Sequence, residues 1–181
     1  DLIRREPASA DWFLGRAAAL METVDLDGAI KDYSRAIEIP PLDSQVYAAR
    51  GMAHDRKGNW DQAIEDCSRA LELDPHFADA LNLRGCALAS KGLRDRAIAD
   101  FTDAIRLNPK YAEAYLNRGS TYEPGVDDER CLADYTKALE LNPRCADAYQ
   151  GRAVVRLGRG QWRESIRDLN EAIRLSPNDP K

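Results

Sequence analysis

The chain holds only two histidines in 181 residues, and neither His54 nor His76 has companion ligands at a recognisable metal spacing. Its four cysteines, Cys67, Cys86, Cys131 and Cys145, form no Cys-x-x-Cys pair. No metal and no cofactor is therefore expected. The thiols read as small apolar fillers in a reducing, cytoplasmic setting, with a periplasmic location as the alternative. No apolar run approaches the roughly 20 residues that span a bilayer, and the opening segment Asp1-Leu2-Ile3-Arg4-Arg5-Glu6 lacks the apolar core of a signal peptide. No membrane partner is expected. Positive charge is also short, with 26 Lys and Arg against 31 Asp and Glu for a net charge of -5. Nucleic-acid modules concentrate Lys and Arg on one face, so a nucleic-acid partner is excluded as well. What remains is ordinary for a folded domain: 44% hydrophobic and 31% charged residues.

Against that background one regularity organises the chain. Pro7, Pro41, Pro75, Pro109, Pro143 and Pro177 recur every 34 residues without slippage. A fixed period of this length marks units that cannot bury an apolar face alone and must stack on their neighbours. With the proline at position 32, the units run 10–43, 44–77, 78–111, 112–145 and 146–179, and form a single solenoid domain. In the third unit Leu81, Ala87 and Leu88 recur at helical spacing. After a break at Lys91-Gly92 the same rule holds for Ala97, Ile98, Phe101, Ala104, Ile105 and Leu107. Each unit is thus a helix A, a turn and a helix B. Gly58, Gly92 and Gly160 suit a left-handed residue ending helix A. Asn59 with Gln62 predicts a capping box on the second helix B. The prolines stop helix B.

These residues resemble the tetratricopeptide repeat. Phe13, Tyr47, Leu81, Tyr115 and Tyr149 fill its first large site; Ala17, Gly51, Gly85, Gly119 and Ala153 fill its first small site; Ala36, Ala70, Ala104, Ala138 and Ala172 fill the small site of helix B. The resemblance covers residues 10–179 and implies an all-α fold, a right-handed α-α superhelix of helix-turn-helix units. Cys131 and Ser165 replace the alanine provided by Ala29, Ala63 and Ala97, a tolerable change in volume. In the fourth unit Pro124 is expected to shorten helix A and to leave an exposed acidic turn, Asp127-Asp128-Glu129, as a loop variant or a partner contact. Leu2, Ile3 and Pro7 occupy helix-B sites, so residues 1–9 read as the tail of a preceding repeat or an N-terminal cap. Lacking an initiating Met and a polar closing helix, the chain reads as a segment of a longer protein, or a processed one, with ends open to self-association.

Two charges recur as strictly as the prolines: Arg16, Arg50, Arg84, Arg118 and Arg152 in helix A, and Asp32, Asp66, Asp100, Asp134 and Asp168 in helix B. A guanidinium at the edge of a core needs a fixed acceptor, and Asp offers a bidentate one, so structural ion pairs are expected. An arginine ladder for an anionic peptide is the alternative, but the matched aspartates would neutralise it. His54 could approach Cys67 as base and nucleophile; the packing pattern already asks for side chains at both sites, and both are read as core. Trp12, Trp60 and Trp162 are read as packing residues rather than a base-stacking platform.

For binding, the resemblance implies a concave groove lined by helix A. Carried over by position, its members include Asp11, Leu14, Gln45, Met52, Asp55, Asp79, Asn82, Cys86, Glu113, Leu116, Asn117, Ser120, Asp147 and Gln150. One edge is acidic and the centre is small or apolar, which suits a peptide with basic and apolar side chains. The family's carboxylate clamp needs Lys, Asn and Arg at set helix-A sites, and Leu14, Ala48, Asn82, Leu116 and Gln150 do not supply them. A continuous asparagine ladder is excluded too, leaving Asn82 and Asn117 as backbone-binding amides. The function expected is a non-catalytic scaffold for a protein or peptide. The alternatives are an oligomerisation module stacking through its ends, and the regulatory arm of a larger enzyme.

Overall fold

The structure, a computed structural model, describes residues 9–176. Among them are ten helices and no strand: α1 (Ala10–Glu22), α2 (Leu26–Ile37), α3 (Ser44–Arg56), α4 (Trp60–Leu73), α5 (Ala78–Ser90), α6 (Arg94–Leu107), α7 (Ala112–Thr121), α8 (Asp128–Leu141), α9 (Ala146–Gly158) and α10 (Trp162–Leu175). The odd-numbered helices are the A helices and the even-numbered ones the B helices. The chain forms two compact units, residues 1–91 with α1 to α5 and residues 92–181 with α6 to α10. Leu2, Ile3, Pro7 and Pro177 lie outside the described residues.

In the first unit three helix starts have a side-chain cap. Ser9, Asp25 and Asp43 precede α1, α2 and α3 and accept from the backbone N–H groups of Asp11, Gly28 and Gln45 at 3.2, 3.0 and 2.8 Å. The capping box expected at α4 does not form. Asn59 is the residue before the helix, but its side chain makes no capping bond to the backbone of α4. Its amide faces His54 Nδ1 at 3.5 Å instead. Between α3 and α4 the chain turns on Gly58 at φ 81°, and the same site in the first repeat is Val24 at φ 61°, a β-branched residue in left-handed backbone. The core fills the space between the two helices of a repeat, where Ala17 and Met21 of α1 cluster with Ala29 of α2, and the space between a B helix and the next A helix. Tyr33 and Ala36 of α2 cluster with Val46 and Ala53 of α3, and Ala70 of α4 meets Ala80 of α5.

In the second unit α8 and α9 share a cluster of Cys131, Tyr135, Ala138, Leu139, Ala148 and Val155. A methyl added at Gly151 would lie 2.5 Å from Cζ of Tyr135, so the phenol ring lies against bare backbone there. Helix α7 has 10 residues where the other A helices have 13. It ends at Thr121, followed by Tyr122 in extended conformation two residues before Pro124, which cannot continue a helix. Ser165 is buried in the alanine site and donates to the Ala153 carbonyl at 2.9 Å. Asp74, Asn108 and Asn142, each just before its proline, are extended and end α4, α6 and α8. The three tryptophans depart from the sequence reading: Trp12, Trp60 and Trp162 are all exposed. Trp60 and Trp162 are the first residues of α4 and α10, and Trp12 lies in the first turn of α1.

Candidate functional site

The recurring arginines and aspartates meet in a repeated geometry. Arg16 donates through Nε and Nη2 to Asp32 at 2.5 and 2.7 Å, Arg50 to Asp66 at 2.9 and 2.6 Å, Arg118 to Asp134 at 2.7 and 2.8 Å, and Arg152 to Asp168 at 2.9 and 2.7 Å. Each is a fork on both carboxylate oxygens, the arrangement in which a planar guanidinium is strongest. All five aspartates are buried. The hydrogen bond from Arg16 holds the Asp32 carboxyl below its usual range, and those to Asp66 and Asp134 raise the Arg50 and Arg118 guanidiniums. Arg50, Arg118 and Arg152 also lie over the rings of Tyr47, Tyr115 and Tyr149, at 5.8, 5.8 and 5.7 Å from the ring centres. In the second unit Asp100 is buried, and in the first Arg84 donates to Ser68 Oγ at 3.1 Å.

A third member of each group escaped the sequence reading. Arg50, Arg118 and Arg152 donate through Nη1 to Ser34, Thr102 and Thr136 of the preceding B helix at 3.0, 3.0 and 3.2 Å. The hydroxyls of Ser34, Ser68 and Thr102 in turn donate to the carbonyls of Ile30, Ile64 and Ile98, each at 2.7 Å. The arginine therefore ties its own B helix to the one before it. Ser34, Ser68, Thr102 and Thr136 stand 34 apart, so the period itself carried the signal. In Arg50, Arg118 and Arg152 the guanidinium is thus satisfied by both carboxylate oxygens and by a hydroxyl.

In the second unit a cavity of about 460 Å³ opens between α7 and α9, where the shortened α7 gives way to Tyr122 and Pro124. It gathers Leu116, Asn117, Ser120, Asp147 and Gln150 with Tyr122, Tyr135 and Val154, and no cationic side chain lines it. Burial pushes the Tyr135 phenol up to about 12, so it is a neutral wall at physiological pH. The other candidates are scattered. Glu113 is exposed on α7, as are Asp79 on α5 and Gln45 and Met52 on α3; Cys86 is half-buried. Asp11 is exposed near the start of α1, beside Trp12 and Phe13, while Leu14 packs into the α1–α3 core. Asn82 corrects the sequence reading: it is 1% exposed, so its amide is not offered to a ligand backbone. Asp55 is half-buried, its Oδ1 has no hydrogen-bond partner among the described residues, and burial raises its carboxyl.

No nucleophile–base pair is built from His54 and Cys67. His54 Nε2 lies 3.9 Å from Asp66, and burial lowers its pKa. Cys67 is fully buried and its thiol is pushed up to about 12, which leaves it protonated and inert. Among the described residues no group of three His, Cys, Asp or Glu side chains is placed to hold a metal ion, and no helix is long and apolar enough to cross a membrane.

Three models of the tetratricopeptide repeat match the chain: one at residues 44–77, one at 112–145, and one at 1–44, 82–123 and 130–180. Solved structures share the fold. A crystal structure of MamA is similar at a TM-score of 0.76 and 25% identity, over 89% of this chain and 94% of that one. TTC0263, a thermophilic TPR protein in Thermus thermophilus, is similar at 0.79 and 21% identity, over 94% and 93%. The crystal structure of the APC/C hetero-tetramer Cut9-Hcn1 contains a chain similar at 0.85 and 24% identity, over 94% of this chain and 34% of that one. One of the repeat models alone covers more than half of the sequence, and the helices repeat in the order that the model describes: the chain belongs to the tetratricopeptide repeat family.

Proposed function

We propose that the protein is a non-catalytic interaction scaffold that binds a peptide or protein segment on its A-helix faces. The observation that carries this reading is the cavity between α7 and α9, which combines apolar and aromatic walls with the carboxylate of Asp147 and no cation. A basic side chain with an aliphatic stem, next to an apolar one, matches both parts: the stem covers Leu116 and Val154 while the charge reaches Asp147 and the phenol faces. Exposed Glu113 extends the acidic edge along α7. A chain of like fold has been crystallised in a hetero-tetramer, Cut9-Hcn1, which supports a scaffold role. The inert Cys67 thiol and the satisfied arginine forks supply no catalytic group. The test is an affinity pull-down read by mass spectrometry, comparing the chain with its Asp147→Lys variant. Loss of the basic partners from the variant is expected; the same partners at the same yield would remove the cavity as the site.

A second reading, association of copies through the end faces, is favoured by the apolar stripe left exposed on α10, the last described helix.

A further inference from the structure

The cavity between α7 and α9 is more than a surface groove, because it reaches the core. Its floor is Cys131, Tyr135 and Val155, which are 1, 6 and 6% exposed and belong to the cluster shared by α8 and α9. The opening has a cause in the sequence. Tyr122 stands in the register of Leu88, which is helical in α5 and 1% exposed. In the fourth repeat the helix stops at Thr121, Tyr122 is extended, and Pro124 blocks the turn that would follow. The last turn of an A helix is therefore missing, with its inward-facing residue, and the cavity opens at that place.

The neighbouring rings do not close it. A methyl on Gly119 would lie 3.3 Å from the Tyr135 ring and one on Gly151 2.5 Å, so the ring is held between the bare backbones of α7 and α9 and forms a wall. The Tyr122 ring lies under Arg130, 5.8 Å from its centre. Burial pushes up the Cys131 thiol as well as the Tyr135 phenol, so the floor carries no charge near neutral pH. The carboxylate of Asp147 lies at the other end of the cavity, seven residues before Val154 and so about 10 Å away along α9.

We propose that this slot takes a bulky apolar side chain of a bound peptide in place of the missing helix residue, and that the same peptide sets a lysine or arginine about three residues away against Asp147. The spacing follows from two lengths, about 10 Å between the sites along α9 and about 3.3 Å per residue of an extended chain. The apolar anchor supplies the area removed from water, and the charge fixes the register. This rests on the reading that a peptide binds between α7 and α9, and adds which side chain enters the core and how far from it the basic residue stands.

A phage library of random dodecapeptides is selected on the immobilised chain, and the enriched peptides are synthesised and titrated by fluorescence anisotropy. They should share a lysine or arginine about three residues from a phenylalanine, leucine, tryptophan or methionine. Alanine in place of that apolar residue should weaken binding by about ten-fold or more. The protein is varied in parallel. Pro124→Ser, Gly125→Lys and Val126→Gly together write the end of α5, Ser90-Lys91-Gly92, onto α7. The added lysine stands in the register of Lys57 and Lys91, which pair with Asp27 and Asp61, and gains the same contact with Asp95. With the turn restored, the triple variant should hold or raise the urea midpoint and bind the peptides about ten-fold more weakly or worse. A triple variant that binds them as the parent does, or peptides indifferent to alanine at the apolar site, overturns the inference; if Asp147→Lys still abolishes binding, the scaffold reading stands. A lowered urea midpoint in the triple variant overturns the inference as well, because the slot is then not the place of a missing turn. Peptides that bind Asp147→Lys as tightly as the parent, or a selection that enriches none, overturn both.

Discussion

The arginine fork makes an asymmetric prediction about which partner is the worse one to lose. Arg118 is 17% exposed in its side chain and Asp134 7%. Truncating Asp134 to alanine leaves a guanidinium that keeps Thr102 at 3.0 Å and can swing toward solvent past the Tyr115 ring. Truncating Arg118 leaves a buried carboxylate on a short stem that cannot reach water. Breaking a buried pair costs about 3–5 kcal/mol, so Asp134→Ala should fall near the lower figure and Arg118→Ala near the upper. For a chain of this length each kcal/mol is worth about 2–4 °C in Tm, so Arg118→Ala should lower it by roughly 10–20 °C. The double variant Arg118→Met with Asp134→Leu removes both charges and should recover most of that loss. Urea and thermal unfolding followed by circular dichroism at 222 nm read all four proteins. An unchanged midpoint for Arg118→Ala would defeat the mechanical role of the fork, and a larger loss from Asp134→Ala than from Arg118→Ala would refute the solvent-access argument.

Three further outcomes follow from particular residues. Val24→Gly should raise stability by about 1–2 kcal/mol, because a left-handed conformation at φ 61° is costly for a β-branched side chain and not for glycine; an unchanged urea midpoint would mean that the site relaxes. Gly151→Ala places a methyl 2.5 Å from the Tyr135 ring and should cost about 1–3 kcal/mol by overpacking, with a changed near-ultraviolet dichroism signal from the displaced tyrosine. Stability against pH carries two opposite signs. The Asp32 carboxyl, lowered by its bond to Arg16, contributes stability that is present above the ordinary carboxylate pKa and is lost as pH falls through the folded value. Asp55, raised by burial, contributes stability that is lost as pH rises through its folded pKa. Asp55→Asn should therefore raise Tm at pH 7, with the gain shrinking as pH falls through the raised Asp55 pKa. A pH-independent difference between the two proteins would show that the carboxyl titrates normally.

Much of the architecture could be read before any coordinates, because repetition multiplies weak signals. One alanine or one proline says little about a fold; Ala36 and its four successors at one spacing report a helix contact too close for a larger group. The arginine–aspartate register was legible for the same reason. The Ser34, Ser68, Thr102 and Thr136 hydroxyls followed the same period and were passed over, since a serine on a helix has a bland reading that only the incoming guanidinium displaces. Other readings failed where a local rule competes with a neighbour. Asn59 had the chemistry of a cap, but its amide faces a side chain, His54, that no local rule brings into view. Asn82 had the position of a groove amide and is buried.

What the order of residues determined by itself is the period, and with it the helix-turn-helix units, the prolines that end the B helices and the sites that must be small. These are local or nearest-neighbour properties, and a one-dimensional pattern can encode them. What only the tertiary structure decided is which side chains end up without a neighbour. Trp12 and Ile173 carry the residue types of a core, and Asp55 that of a surface. Yet the first two are exposed and the third has a buried oxygen with no hydrogen-bond partner among the described residues, because burial depends on which helix lies across from a residue and not on the residue itself.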